Sequence, residues 1–426
     1  MSSLSSPSSP SSPKRAFASD GDQGRPSKQQ KLDKRDVPAH FKGLKKDEAD
    51  GLEKIETFRG LKRSFVASYP GQDAESYSRR AKNVKLDEAN EDEISRAAKT
   101  SNQSNVAMAA KETVSRLRVD LARMPASAQR GMANFTGVLC YRISLLQALL
   151  HLPLLVGWLW DWHLPENCVA DQPEECFSCV LRLLALSYWR APGHSGDQLP
   201  KVFKAMHKTL KSLGWAEEGQ ADPDEQLLFF FKAQRQELPS SVYSLVEAIF
   251  QSFWTQKIAC SCGHQSVTPG TESKLTVCLA PRIPKGSLAD YVKRCFSEVV
   301  PYRCDGCNIT ADRLKVREFN HTGDVLCIQL SQLDNFGRKI NWVVPIPSLL
   351  DLTSLRHATN DDASLLYELT AIVQHTGQNG NGHYVCSAAG PDGQWQLFND
   401  KLVSKSGVAN VVRGFVPVLL FFRRKK

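Results

Sequence analysis

The residues that can build a core are confined to one part of this 426-residue chain. All twelve cysteines and all eight tryptophans lie between Cys140 and Trp395, and none precedes residue 140. Residues 2–13 are nearly pure Ser and Pro, and the ninety or so that follow mix charges with few apolar groups and no sustained period. Such a segment buries too little apolar surface to offset the entropy of ordering it, so residues 1–105 are expected to be a disordered basic tail. Residues 106–124 place Ala, Val, Leu and Met at helical spacing, and 106–130 read as a linker helix. The globular texture begins at 131 and runs to 426.

The charge follows the same boundary. Residues 1–130 hold 25 Lys and Arg against 18 Asp and Glu, so +7 of the overall +9 belongs to the N-terminal segment. Its basic clusters, at Lys14-Arg15, 28–35, Lys45-Lys46 and Lys62-Arg63, suit a nuclear import signal or a weak nucleic-acid contact; the plainer reading is a solvated, phosphorylatable tail. No apolar stretch marks a signal peptide, and the strongest, 145–160, is interrupted by Pro153, so no membrane span is expected. A cytosolic or nuclear location follows, with the cysteines as thiols, metal ligands or a nucleophile rather than disulfides.

Within the globular part the apolar period changes along the chain. Helical patterns run over 140–151, 176–189, 199–213, 224–237 and 242–253, and short or alternating apolar runs follow at 275–279, 325–330, 340–344, 365–374, 383–388 and 416–422. Helices first and a mainly antiparallel sheet second imply an α+β fold.

Two segments carry chemistry. Cys140 opens an amphipathic helix stopped by Pro153, where the helix dipole and unpaired backbone N–H groups favour the thiolate. Far downstream, Gly382-His383-Tyr384-Val385 is followed after a short hairpin by Trp395-Gln396-Leu397-Phe398-Asn399-Asp400. A carboxamide or carboxylate ending one strand can accept from one nitrogen of a histidine on its neighbour, leaving the other to take a proton from a nucleophile. Each signal alone is weak: an isolated cysteine is more often core, and Asn399-Asp400 also closes a turn.

Taken together, the segments resemble the ubiquitin-specific proteases, papain-like cysteine peptidases whose cysteine box reads roughly G-L-x-N-x-G-N-T-C-Y-x-N-S-x-L-Q. The chain keeps Gly137, Cys140, Tyr141, Ser144, Leu146 and Gln147, and departs at Val138, Leu139 and Ile143. The family's oxyanion-holding asparagine falls five residues before the cysteine, where this chain has Phe135. Gly131-Met132-Ala133-Asn134 restores the pattern if one residue is inserted before Gly137, which nominates Asn134. Residues 219–228 resemble the family's Q-x-D-A-x-E-F-L helix, 325–333 its central strand, and 367–377 the strand entering the histidine box. The match covers about 131–424 with every box in family order.

The resemblance implies a papain-like hand with a helical thumb, an antiparallel β palm and zinc-ribbon-like fingers. Cys140, His383 and Asn399 would form the triad, with Asp400 in the family's second acidic position, and ubiquitin and ubiquitinated proteins would be the partners. Cys260-Ser261-Cys262 and Cys304-Asp305-Gly306-Cys307 have the makings of two knuckles for a structural Zn²⁺, although the first spacer is one residue short, leaving His264 as an alternative ligand. Cys176-Phe177-Ser178-Cys179 lies on a helical pattern without a second pair and reads as core. The function implied is a thiol-dependent deubiquitinating hydrolase. The alternatives are a catalytically weak or inactive ubiquitin-binding scaffold of the same fold, suggested by the altered box, and a nucleic-acid adaptor acting through the basic tail.

Overall fold

The computed structural model describes most of residues 112–425, leaving out short stretches of which 238–245 and 169–174 are the longest. The tail at 1–105 and the first part of the linker helix lie outside the described residues. The expected single linker helix is not continuous: Leu121–Arg123 and Ala126–Ala128 are separate 3₁₀ turns. Asp120 caps the first by accepting from the Ala122 N–H at 3.0 Å, and Pro125 separates it from the second.

Five helices form one lobe: α1 (Cys140–Leu150), α2 (Pro153–Asp161), α3 (Phe177–Tyr188), α4 (Leu199–Ser212) and α5 (Pro223–Glu237). The expected amphipathic α1 is instead buried along all eleven residues, Arg142, Ser144 and Gln147 included. It runs between α2 and α5 on one side and the large sheet on the other, so it has no solvent face to present. Its polar groups are bonded internally: Gln147 donates to the Arg130 carbonyl at 2.9 Å and accepts from the Tyr188 hydroxyl at 2.8 Å. Pro153, without an N–H, starts α2 at an angle of 83° to α1. No single helix among the described residues is long and apolar enough to cross a membrane.

The chain then builds a small sheet from β1 (Ser252–Ala259), β2 (Gln265–Glu272), β4 (Ser297–Arg303) and β5 (Thr310–His321), in the order β2-β1-β5-β4 and antiparallel throughout. Helical texture is expected to persist to 253, but Ser252 already belongs to β1, where it and Phe253, Thr255 and Ile258 are buried. The intervening β3 (Leu275–Cys278) and α6 (Leu288–Phe296, closed by a Ser287–Asp290 capping box) return to the larger sheet.

That larger sheet adds β6 (Val325–Ser331), β7 (Leu349–Asp351), β8 (Leu366–Gln378), β9 (Asn381–Ala389), β10 (Trp395–Asn399), β11 (Leu402–Lys405) and β12 (Val416–Arg424). Its order is β11-β10-β9-β8-β12-β6-β3, with β7 on β8, and only β3 runs parallel to its neighbour β6. Side chains alternate between two cores. Cys327, Ala371, Val373, Leu419 and Phe421 face the helical lobe, while Leu326, Ile328, Leu420 and Phe422 join α6 on the opposite face. The strand expected at 340–344 does not form: apart from one bridge between Leu333 and Lys339, this stretch is irregular where described. Pro345 and Pro347 follow it, and proline cannot donate to a ladder.

A buried ion pair ties the lobe to the sheet. Lys274 Nζ, before β3, lies 2.5 and 2.7 Å from the Asp224 carboxylate in the first turn of α5, and donates to Gln329 Oε1 at 2.7 Å. Both side chains are about nine-tenths buried. Removing one partner strands the other charge, so Asp224→Ala should cost about 3–5 kcal/mol. In a urea titration this reads as a lowered midpoint with an unchanged slope.

Candidate active site

Cys140 is the first residue of α1, preceded by the positive-φ turn at Gly137. Leu139, the N-cap residue, has no oxygen in its side chain to satisfy the first-turn donors. Asn134 substitutes from five residues upstream, its Oδ1 accepting from the Leu139 N–H at 3.0 Å. The unpaired N–H groups at the start of a helix favour an anion there.

Strand pairing brings the remaining groups in. β8 and β9 pair with Thr376 opposite His383, and β9 pairs with β10, which ends at Asn399. His383 Nε2 donates to Asn399 Oδ1 at 2.7 Å. With Nε2 engaged, Nδ1 is the nitrogen left for a nucleophile, and the Cys140 thiol is the largest influence on the imidazole. Assisted by Asn399 and opposed by burial, it raises the pKa from 6.5 to about 9. The arrangement is a thiol–imidazole pair with a carboxamide orienting the ring.

The histidine strand is positioned from the helical lobe. Gln220, ahead of α5, donates to the Gly382 carbonyl at 2.8 Å and accepts from its N–H at 3.0 Å. Gly382 is required for close approach: a Cβ there would lie 2.2 Å from His375 Nε2 and 2.4 Å from the Thr376 carbonyl. His375 packs on Tyr384 with ring centroids 4.4 Å apart, and burial, with Lys339 and His383 nearby, lowers its pKa to about 4. It is therefore neutral in the physiological range.

Asn134, Gly131 and Asp400 meet across the two halves of the site. Asp400 takes a left-handed turn (φ 50°) after β10; its carbonyl accepts from Met132 N–H at 2.9 Å, and its Oδ2 accepts from Asn134 Nδ2 at 3.2 Å. A Cβ on Gly131 would sit 2.3 Å from the Asp400 carbonyl oxygen, so only glycine admits this docking. All five residues nominated at the sequence level are thus brought together. Two other buried thiols, Cys327 and Cys386, are unsuited to nucleophilic work, because full burial pushes both well above the usual thiol range.

Comparison with known proteins identifies the lineage. The profile of the ubiquitin carboxyl-terminal hydrolase family matches residues 130–422. The chain belongs to this family. By family it is a cysteine-type deubiquitinase. Among curated relatives, ubiquitin carboxyl-terminal hydrolase 8 of Saccharomyces cerevisiae is 24% identical over 342 residues, covering 69% of this chain and 70% of the relative. Ubiquitin carboxyl-terminal hydrolase 36 of Drosophila melanogaster is 26% identical over 315 residues, spanning 68% of this chain but only 29% of that protein. In fold the chain is similar to Ubp8 in two SAGA DUB-module structures. One is bound to ubiquitin aldehyde (TM-score 0.61, 22% identity, 70% of each chain), the other to monoubiquitin (TM-score 0.62, 22% identity, 76% of this chain and 75% of that one).

In this hydrolase the helical lobe is the thumb, the large sheet the palm and the small sheet the fingers. The fingers have little core, since β2 and β4 are mostly exposed or half-buried. Antiparallel pairing puts the tips of the β1–β2 and β4–β5 hairpins at one end, and there Cys260, Cys262, Cys304 and Cys307 gather with all four sulfurs within 4.8 Å of one another. Two of the sulfur pairs stand 3.8 Å (Cys260–Cys307) and 3.6 Å (Cys262–Cys304) apart. A tetrahedral Zn²⁺ with Zn–S of ~2.3 Å requires about 3.8 Å between sulfurs, so the set fits the metal. The short Cys260-Ser261-Cys262 spacer is accommodated by a turn in which Gly263 (φ 91°) donates to the Cys260 carbonyl, and His264 is not a member of the set.

Proposed function

We propose that this chain hydrolyses the bond after the C-terminal glycine of ubiquitin, acting on ubiquitinated proteins. The single observation that carries the reading is His383, held at 2.7 Å by Asn399 on one nitrogen and raised in pKa chiefly by the Cys140 thiol beside it. The thiol proton passes to His383, and the Cys140 thiolate attacks the glycine carbonyl carbon. The oxyanion is met by first-turn N–H groups of α1 and by Asn134 Nδ2, which carries two hydrogens and gives one to Asp400. His383 then protonates the departing lysine amine. It next accepts a proton from the water that opens the thioester, and the thiol is restored. Asn399 aligns the ring without adding charge, and Asp400 orients Asn134. In this reading residues 131–426 are the catalytic domain, 106–130 its linker, and 1–105 a tail for nuclear or cytoplasmic addressing, with at most weak nucleic-acid contact and no membrane role.

Release of a fluorophore from the C-terminus of ubiquitin by the full chain is the expected result; absence of turnover despite ubiquitin binding would favour the scaffold reading. The pH profile is a second test. Because His383 is raised above its unfolded value of 6.5, its interaction stabilises the fold fully below about 6.5 and is lost as pH rises through about 9. His383 loses its proton over the same range and can no longer protonate the departing amine, so kcat/KM should fall on an alkaline limb near 9, and Asn399→Ala should move that limb to lower pH. An unmoved limb would mean Asn399 does not tune the ring.

In the fingers, the four cysteines would hold a structural Zn²⁺ that fixes the hairpin tips. Removing it with Cys304→Ser/Cys307→Ser should raise KM for ubiquitin substrates while leaving kcat nearly unchanged, because the fingers lie apart from the reacting atoms. Steady-state kinetics of this variant beside the unaltered chain measures this.

A further inference from the structure

We infer that the thumb carries a second metal centre, a buried Cys₃His site formed by His163, Cys168, Cys176 and Cys179. One ligand atom from each lies within 4.8 Å of the others. His163 follows the end of α2 and is fully buried; its N–H closes on the Trp158 carbonyl at 3.2 Å, and its ring stacks on the Trp158 indole at 5.6 Å and 22°. That stacking aims Nε2 into the thiols, 3.2 Å from Cys179 Sγ and 3.8 Å from Cys176 Sγ. A tetrahedral zinc with Zn–N of about 2.0 Å and Zn–S of about 2.3 Å places nitrogen and sulfur about 3.5 Å apart, between these two values.

The local backbone is that of a metal knuckle. Cys176 is the N-cap of α3, and its sulfur accepts from the Cys179 N–H at 3.4 Å, so both thiols sit at the N-terminal end of the helix. Cys168 completes the set from the connection between α2 and α3. Ordinary core packing explains the burial of two cysteines in a helix. It does not explain a fully buried imidazole whose Nε2 faces three thiols and whose Nδ1 has no hydrogen-bond partner among the described residues. Bound there, Zn²⁺ would release the thiol protons and lock α2 to α3 behind the Cys140 helix.

Zinc content of the purified full chain tests this, together with native thiol alkylation mapped by mass spectrometry. The expected result is two equivalents of zinc per chain, with Cys168, Cys176 and Cys179 alkylated only after chelation and protected again by zinc alone. Cys304→Ser/Cys307→Ser should retain one equivalent, and its cobalt-substituted form should show the spectrum of three thiolates rather than four. Zinc content unaffected by Cys176→Ser/Cys179→Ser, or alkylation of the three thumb thiols that ignores added zinc, would overturn the inference. The alkylation map on the unaltered chain keeps the test decisive if a variant fails to fold.

Discussion

Cys140→Ala and His383→Ala should each lower kcat by roughly 10⁶-fold, and the double variant should be no worse than either alone. The non-additivity follows from their shared step: the Cys140 thiol is the largest influence on the ring that Asn399 holds, so removing either member leaves the other with nothing to do. Ubiquitin binding should survive Cys140→Ala, because the residue is only 1% exposed and contributes little surface to a bound protein. Single-turnover kinetics on ubiquitin–fluorophore conjugates, paired with a binding titration, separates the two effects. If Cys140→Ala retained cleavage, the nucleophile would have to be sought elsewhere.

The second large effect is expected at the rewritten turn. Asn134→Ala should lower kcat by about 10²–10³-fold with little change in KM, the usual cost of one oxyanion donor. Asp400→Ala should act through the same carboxamide by releasing the 3.2 Å bond that holds Asn134. Once Asn134 is gone, loss of the Asp400 carboxylate should add almost nothing, and a kinetic double-mutant cycle reads this directly. Full kcat in Asn134→Ala would mean that the α1 backbone holds the oxyanion alone. The insertion before Gly137 would then have displaced Asn134 into a purely structural place between Leu139 and Asp400.

Legibility in the sequence followed locality. Cys140 at a helix start, the palm strands with two-residue alternation, and the hairpin separating His383 from Asn399 are written in neighbouring residues, and the structure places them accordingly. The fingers strands were not legible. β2 reads Gln-Ser-Val-Thr-Pro-Gly-Thr-Glu and gains its strand form only from pairing with β1, having no buried face of its own. Gly382 lies in β9 and is needed because His375 and Thr376 leave no room for a Cβ, a demand that its neighbours in sequence do not announce. Least visible were contacts across the chain. The Asn134–Asp400 bond spans 266 residues, and no pattern around either residue announces it. The Cys176–Cys179 pair appeared to lack a partner pair because its other members are a histidine and a cysteine with irregular spacing, His163 and Cys168.

The central claim, that Cys140 is the armed nucleophile of a ubiquitin hydrolase, is tested most directly by incubating the full chain with ubiquitin bearing a C-terminal vinyl ester and mapping the adduct by mass spectrometry. The account predicts one covalent ubiquitin per chain, attached at Cys140, formed slowly or not at all in His383→Ala. Tight binding of the reagent with no adduct, or an adduct at any other cysteine, would contradict it.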